Sequence, residues 1–277
     1  MVEAIPDAPS RLVTSRDGTG IAVFSAGEGP AVLLVHGTSA DHRTWRVVAP
    51  ELAGRRRVHA LDRRGRGDSG DGAVYAIERE LEDVAAVVDA LADEAGGPID
   101  VVGHSLGGRI ALAASLVTRS IRRVVAYESA PGGRDASGRN DDEALLRRLR
   151  TDLAAGDPDG LLARFMTDAV GMPAAELSAF RADPIWARRA AAGPTIVREL
   201  DAALHAPAIA VDALARVAVP VLQLTGSLSA AWFRDGAAAF HARLARGHLE
   251  VIEGARHAAH HTHPAEFLAH VEAVLAT

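Results

Sequence analysis

Six short apolar runs, each closing on a glycine or a polar residue, recur along the chain at Ala31 to Val35, Val58 to Leu61, Ile99 to Val102, Val124 to Tyr127, Val221 to Leu224 and Leu249 to Ile252. Runs of this length without internal polar alternation predict strands buried on both faces. Most are separated by segments of helical periodicity, such as Glu78 to Leu91, which places Leu81, Val84, Val87, Val88 and Leu91 on one face. Strand and helix in alternation predict a mostly parallel sheet covered by helices on both sides. Upstream, Arg11 to Thr14 and Ile21 to Phe24 flank Asp17-Gly18, a pair that favours the tight turn of an antiparallel hairpin at the sheet edge. The expected architecture is an α/β fold on an eight-stranded sheet.

The alternation stops between Pro131 and Ala206, where apolar residues recur at helical spacing without a strand. Pro131-Gly132-Gly133 and the polar run to Asp142 predict an exit from the sheet layer. We therefore expect a discontinuous core over residues 1–130 and 207–277, with a helical cap inserted at 131–206. Phe165, Met166, Met172, Phe180, Ile185 and Trp186 in that segment, and Trp232 beyond it, are the expected lining of a substrate pocket, against the plainer reading that apolar residues at helical spacing simply pack.

Composition narrows the chemistry. The 30 basic residues are all arginine, so no lysine can form a Schiff base with a carbonyl substrate or pyridoxal phosphate. The chain has no cysteine, which removes disulfides, thiolate metal sites and a thiol nucleophile, and no metal or cofactor is expected. With a formal charge of −6 and scattered basic residues, neither a nucleic acid nor an anionic membrane is expected as partner, and a small-molecule substrate fits better. Met1 to Ser10 lacks the basic start and apolar run of a leader, and no stretch approaches the roughly 18 apolar residues of a membrane span, so a cytoplasmic protein is expected.

Gly103-His104-Ser105-Leu106-Gly107 follows one apolar run directly and precedes the helix-like Arg109 to Val117. The G-x-S-x-G pattern alone is weak. Between a strand and a helix, its glycines permit a sharp turn that throws the serine hydroxyl beyond the strand's carboxyl end, which marks Ser105 as a nucleophile. A serine hydroxyl needs a base within reach, and of the 12 histidines His257 is the candidate, because it follows the last strand and Gly254 and precedes the helical segment Pro264 to Leu275. His260, His261 and His263 share its loop and read as solvated residues.

Four motifs in this order resemble the α/β-hydrolase superfamily, in particular its capped serine-esterase and epoxide-hydrolase-like branch. Beside the serine turn, His36-Gly37-Thr38 resembles the oxyanion loop, Asp62 to Ser69 resembles the D-x-R-G-x-G-x-S segment, and Gly254-Ala255-Arg256-His257 resembles the catalytic-histidine loop. The resemblance implies that the amides of Thr38 and Leu106 form an oxyanion hole, and that His36 and Asp62 to Ser69 hold loops against the sheet. It also sorts the chemistry: relatives that open alkyl halides or epoxides carry aspartate at the turn, whereas Ser105 implies an acyl-enzyme and hydrolysis of a carboxylic ester or lactone. Carbon–carbon bond hydrolysis beside a ketone and cofactor-free perhydrolase or haloperoxidase chemistry use the same triad, and a ligand-binding member without catalysis is the competing class.

The triad acid departs from the usual pattern. Most relatives carry an aspartate after the strand that is here Val221 to Leu224, but this chain reads Gly226-Ser227-Leu228-Ser229-Ala230-Ala231-Trp232 there, and the first carboxylate downstream is Asp235. Some haloalkane dehalogenases place the acid after the preceding strand, which in this chain ends in Glu128. Glu128 is the expected acid, with Asp235 the competing carboxylate.

Overall fold

The computed structural model describes residues 5–129 and 138–276. The Pro131-Gly132-Gly133 exit and residues 1–4 of the opening segment lie outside the described residues. The strands are β1 (Arg11–Thr14), β2 (Gly20–Ala26), β3 (Ala31–Val35), β4 (Arg57–Leu61), β5 (Ile99–His104), β6 (Ile121–Tyr127), β7 (Val221–Gly226) and β8 (Gly247–Ile252). They form one eight-stranded sheet in the order β1-β2-β4-β3-β5-β6-β7-β8. β2 pairs antiparallel with β1 and with β4, and every other pairing is parallel, so the hairpin around Asp17-Gly18 lies at one edge as its turn chemistry dictates.

Within the central strands the side chains alternate between two cores. Leu33, Val35 and Val101 face one core with α2 (Ile77–Ala95) and α3 (Leu106–Ala114), while Val32, Leu34 and Val102 face the other with α1 (Ala49–Ala53) and α12 (Pro264–Leu275). Both faces being covered explains why these runs show no polar alternation. Helix α2 buries Leu81, Val84, Val87, Val88 and Leu91, carries Glu78 and Glu80 in its first turn, and stops at Gly96, whose φ of 73° lets its amide return to the Ala92 carbonyl.

Between β6 and β7 the described chain is helical: α4 (Gly138–Ala154), α5 (Pro158–Arg164), α6 (Ala174–Arg181), α7 (Ile185–Ala191), α8 (Gly193–His205) and the short α9 (Val211–Leu214). These helices have an apolar cluster of their own, which includes Leu149, Leu161, Phe165, Trp186 and Ile196. After β7 come α10 (Ala231–His241), β8, the single turn α11 (Ala259–Thr262) and α12. Among the described residues no helix is long and apolar enough to cross a membrane.

Buried charge ties the helical segment to the sheet layer. Arg63, which follows β4, donates from Nε and Nη2 to the Glu80 carboxylate of α2 at 2.9 and 2.6 Å, and from Nη2 to Glu199 Oε1 of α8 at 2.6 Å. Arg66 donates to the same Glu199 oxygen, and Tyr75 Oη donates to Glu80 Oε1 at 2.8 Å. Arg63, Glu80 and Glu199 are each no more than 1% exposed. Removing one partner of such a group strands the others, so Glu199→Ala should destabilise the fold by about 3–5 kcal/mol, read as a lowered denaturant midpoint. An unchanged midpoint would show that the arginines re-pair elsewhere.

Two core histidines make stability depend on pH. His36, at the end of β3, is fully buried; Arg63 N donates to its Nε2 at 3.0 Å, which leaves Nδ1–H to donate to the Gly37 carbonyl at 2.8 Å. Burial, helped by the Arg63 charge, holds its pKa down to about 3, and burial holds His59 down to about 4. An unfolded histidine titrates near 6.5, so between about 6.5 and about 4 the unfolded chain binds protons that the folded one refuses. Stability present at neutral pH should therefore fall as pH drops through that window. The check is the denaturant midpoint at pH 7 against pH 4.5; equal midpoints would contradict neutral burial of these rings.

Candidate active site

The register of the sheet brings the candidate residues to one end of it. β5 and β6 pair Gly103 with Ala126 and His104 with Tyr127, so Ser105 and Glu128 leave the carboxyl ends of adjacent strands side by side. Ser105 N still donates to the Tyr127 carbonyl at 2.9 Å, and Glu128 N to the Leu224 carbonyl at 2.8 Å, which extends both ladders by one residue. Ser105 has φ 54° and ψ −128°, a backbone that residues with a β-carbon rarely adopt, and α3 starts at the next residue. The turn is possible because the chain packs on itself there: a β-carbon on Gly107 would lie 2.2 Å from the His36 carbonyl oxygen, and one on Gly103 would lie 2.4 Å from Gly108 Cα.

Glu128 is likewise left-handed, with φ 47°, and its side chain has no exposed surface. Its Oε2 lies 2.7 Å from His257 Nδ1, while Oε1 accepts from Thr225 Oγ1 at 3.0 Å and from Gly226 N at 2.9 Å. Burial alone would raise the carboxyl pKa, but the bond and charge of His257 and the Gly226 amide outweigh it, so the net shift is downward and Glu128 is a carboxylate at neutral pH. Strand β7 thus supplies two hydrogen-bond donors to Glu128. Asp235 is exposed on α10.

The His257 loop is fixed from below by two residues that sequence reasoning missed. Tyr127 Oη donates to the Arg256 carbonyl and accepts from Ala259 N at 3.2 Å. His104, stacked on Tyr127 with ring centroids 5.6 Å apart, donates from Nε2 to the His257 carbonyl at 2.8 Å. Burial, with the nearby His257, keeps the His104 pKa well below 6.5, so its ring is neutral. The signal was available for Tyr127, since a tyrosine closing a buried strand must find a partner for its hydroxyl. His104 gave none, because the motif leaves its position free.

Leu106 is the first residue of α3, where an amide has no carbonyl partner within the helix. Thr38 and Ser105 line the same cavity, which has a volume of about 360 Å³ and also exposes His257. Among the described residues no hydrogen bond joins Ser105 Oγ to the His257 ring, although both line the cavity. Phe165 and Met166, in a π-helical turn Phe165–Ala169, form part of the apolar side of the cavity with Val170, Met172 and Phe180.

Three expectations need correction. Trp186 is not a wall residue: it is 6% exposed, donates from Nε1 to Asp159 Oδ1 at 2.6 Å and packs edge-on against Phe180, which takes the wall position. Trp232 also lies off the wall, because successive residues of a helix point about 100° apart and it is Phe233 that stacks on the His257 ring, with centroids 4.4 Å apart. His260 is not solvated; it is 1% exposed, its ring lies against Trp45 and His104, and burial pushes its pKa well below 6.5.

Asp41, His42 and Asp62 bring ligand-type atoms within 4.8 Å of one another. Asp62 accepts from His42 N, His42 Nδ1 and Asp68 N at 2.8–2.9 Å, and Asp41 accepts from Arg43 N and Arg188, while His42 Nε2 is buried without a hydrogen-bond partner among the described residues. Through these bonds the group holds the loop after β4.

The model of the alpha/beta hydrolase family matches residues 32–270. A solved alpha/beta hydrolase from Sphaerobacter thermophilus is 31% identical and superposes with a TM-score of 0.75, covering 88% of this chain and 93% of that one. Est816, described as an N-acyl homoserine lactone degrading enzyme, is 25% identical with a TM-score of 0.70, covering 95% of this chain and 99% of that one. Among curated proteins, the probable oxidoreductase EphD of Mycobacterium tuberculosis is 40% identical over 103 residues, which span 35% of this chain but 17% of that protein.

Loss of the Tyr127 hydroxyl should be felt in stability. Tyr127→Phe leaves the Arg256 carbonyl and the Ala259 amide without their partner and should cost about 1–3 kcal/mol in denaturant unfolding. A neutral result would mean that water replaces the hydroxyl and that the loop is held elsewhere.

Proposed function

Because the chain belongs to the alpha/beta hydrolase family, we propose that it is a serine hydrolase of the capped esterase branch, cleaving a carboxylic ester or lactone through an acyl-enzyme. One observation carries this reading: His257, in the cavity wall it shares with Ser105, has Nδ1 bonded at 2.7 Å to a buried, ionised Glu128. That bond fixes the imidazole tautomer, with the proton on Nδ1 and the lone pair on Nε2, and it stabilises the imidazolium that forms when Nε2 takes the serine proton.

Substrate binding selects the serine rotamer that points Oγ at Nε2, since hydrogen bonds of this kind tighten in the substrate complex. Oγ then attacks the acyl carbon, its proton passes to Nε2, and the carbonyl oxygen becomes an oxyanion received by the Thr38 and Leu106 amides, each worth roughly 3–4 kcal/mol. Collapse expels the alcohol, which takes the proton from Nε2. Water repeats the sequence on the acyl-enzyme, giving the carboxylic acid and free Ser105. The apolar wall around Phe165 and Met166 favours a substrate with a hydrocarbon portion. The likeness to Est816 keeps lactones beside open esters as substrates.

The test compares single variants on a nitrophenyl ester. Ser105→Ala should lower kcat by roughly a thousandfold or more and abolish labelling by a fluorophosphonate, and Glu128→Gln should cost on the order of a hundredfold in kcat with little change in KM, while Asp235→Asn costs almost nothing. Retention of most activity in Ser105→Ala, or the reverse ranking of the two acid variants, would overturn the assignment.

A further inference from the structure

Arginines on the cavity wall differ in what neutralises them. Arg256 Nε lies 3.0 Å from Glu176, and Arg46 Nη2 lies 3.5 Å from Asp183. Arg189, on α7, has no carboxylate within 4.0 Å among the described residues; its one hydrogen bond runs from Nη2 to Thr44 Oγ1 at 3.1 Å. The guanidinium sits 5.4 Å from the Phe180 ring centroid, a contact that orients the group without discharging it.

Arg189 also borders a second cavity of about 210 Å³ that shares Thr44 and Ile185 with the first. The other arginines of that smaller cavity are satisfied, Arg188 by Asp41 and Arg66 by Glu199. Thr44 Oγ1 is further approached by His260 Nε2 at 3.3 Å and His261 Nε2 at 3.4 Å, and burial keeps both rings neutral, His261 with a pKa down to about 4. Burial also draws the Arg189 pKa down to about 10, with Arg46 pushing the same way and Asp41 and Asp183 opposing. At neutral pH the group is charged and half-buried, with Thr44 Oγ1 as its hydrogen-bond partner and no carboxylate at ion-pair distance among the described residues.

We propose that Arg189 is a specificity-determining residue that receives a carboxylate at the far end of the substrate's acyl arm, while the scissile carbonyl sits at Ser105. The inference rests on the serine-hydrolase reading and narrows it to half-esters or lactones of dicarboxylic acids. A guanidinium meets a carboxylate with two parallel charge-assisted hydrogen bonds, a gain that a neutral acyl chain cannot supply. The two acidic residues on the active-site wall, Glu176 and Asp183, are held by Arg256 and Arg46 and leave Arg189 open to an incoming anion.

Two measurements on the full chain decide the matter. The first is kcat/KM for para-nitrophenyl hydrogen adipate against para-nitrophenyl hexanoate, which share the scissile bond and differ in the terminal charge. The wild type should favour the adipate by about tenfold or more. Arg189→Met should bring the ratio to about one, mainly through KM, and Arg189→Lys should keep part of the preference. The second is calorimetric binding of the adipate half-ester to Ser105→Ala, which should weaken about tenfold or more in Ser105→Ala/Arg189→Met. No preference in the wild type, or an unchanged ratio in Arg189→Met, would overturn the proposal. If the wild type turns over neither ester, the hydrolase reading fails, and the calorimetric comparison still decides the role of Arg189.

Discussion

Much of the arrangement depends on one buried contact, the 2.7 Å bond between Glu128 Oε2 and His257 Nδ1. A carboxylate with no exposed surface is costly unless its oxygens are satisfied, and here the second oxygen takes Thr225 Oγ1 and Gly226 N from β7. Those donors exist only because β7 lies beside β6 in parallel register, Tyr127 opposite Leu224. The pairing of three adjacent strands, β5, β6 and β7, is therefore what sets the serine, the acid and the acid's donors at one rim.

Among the described residues, the non-glycine positions with positive φ are Ser39, Ser105 and Glu128. Each follows a parallel strand near its carboxyl end. Such conformations cost on the order of 1–3 kcal/mol apiece and persist only where the surroundings over-determine them. For Ser105 and Glu128 the surroundings are explicit, since each donates its amide to the neighbouring strand and thereby continues the ladder while its side chain turns out of the sheet. The strain at Ser105 and Glu128 thus falls at the sheet rim, where side chains must be aimed at a ligand.

The sheet was legible because buried parallel strands leave an unmistakable signature: Ala31–Val35 reads as a strand in the sequence and is one in the structure with the same bounds. Ser105 was legible because the glycines around it answer to a backbone demand. The meeting of Glu128 with His257 was readable from the place of Glu128 directly after a strand. What escaped was contact across elements. Periodicity says which face of a helix is apolar, but it does not say whether that face meets a cavity or another helix, and so Trp186 was grouped with Phe180 on a wall that Phe180 alone of the two lines, and Trp232 was chosen where its neighbour Phe233 stacks on His257. His260 was misread for a related reason: it stands among loop-like residues in sequence, yet the turn α11 carries it beneath the site against Trp45 and Tyr127.

The helical segment between β6 and β7 supplies both the apolar wall and Arg189, so its position relative to Ser105 matters for whatever the cavity selects. Apolar surfaces tolerate sliding, and the cluster of Leu149, Leu161 and Phe165 is internal to the segment. The ties to the sheet layer are directional. Glu199 reaches Arg63 and Arg66 in the loop after β4, Arg188 reaches Asp41 in the loop after β3, and Arg189 reaches Thr44. Planar guanidinium contacts hold over a narrow range of geometries, and these bonds start from two helices, α7 and α8. A shift by one helical turn would break them together and leave buried charges without partners, which is costlier than any loss of apolar contact such a shift would cause. The ion pairs thus fix register more than they add net stability, and the part of the wall whose register they fix is the part that carries Arg189.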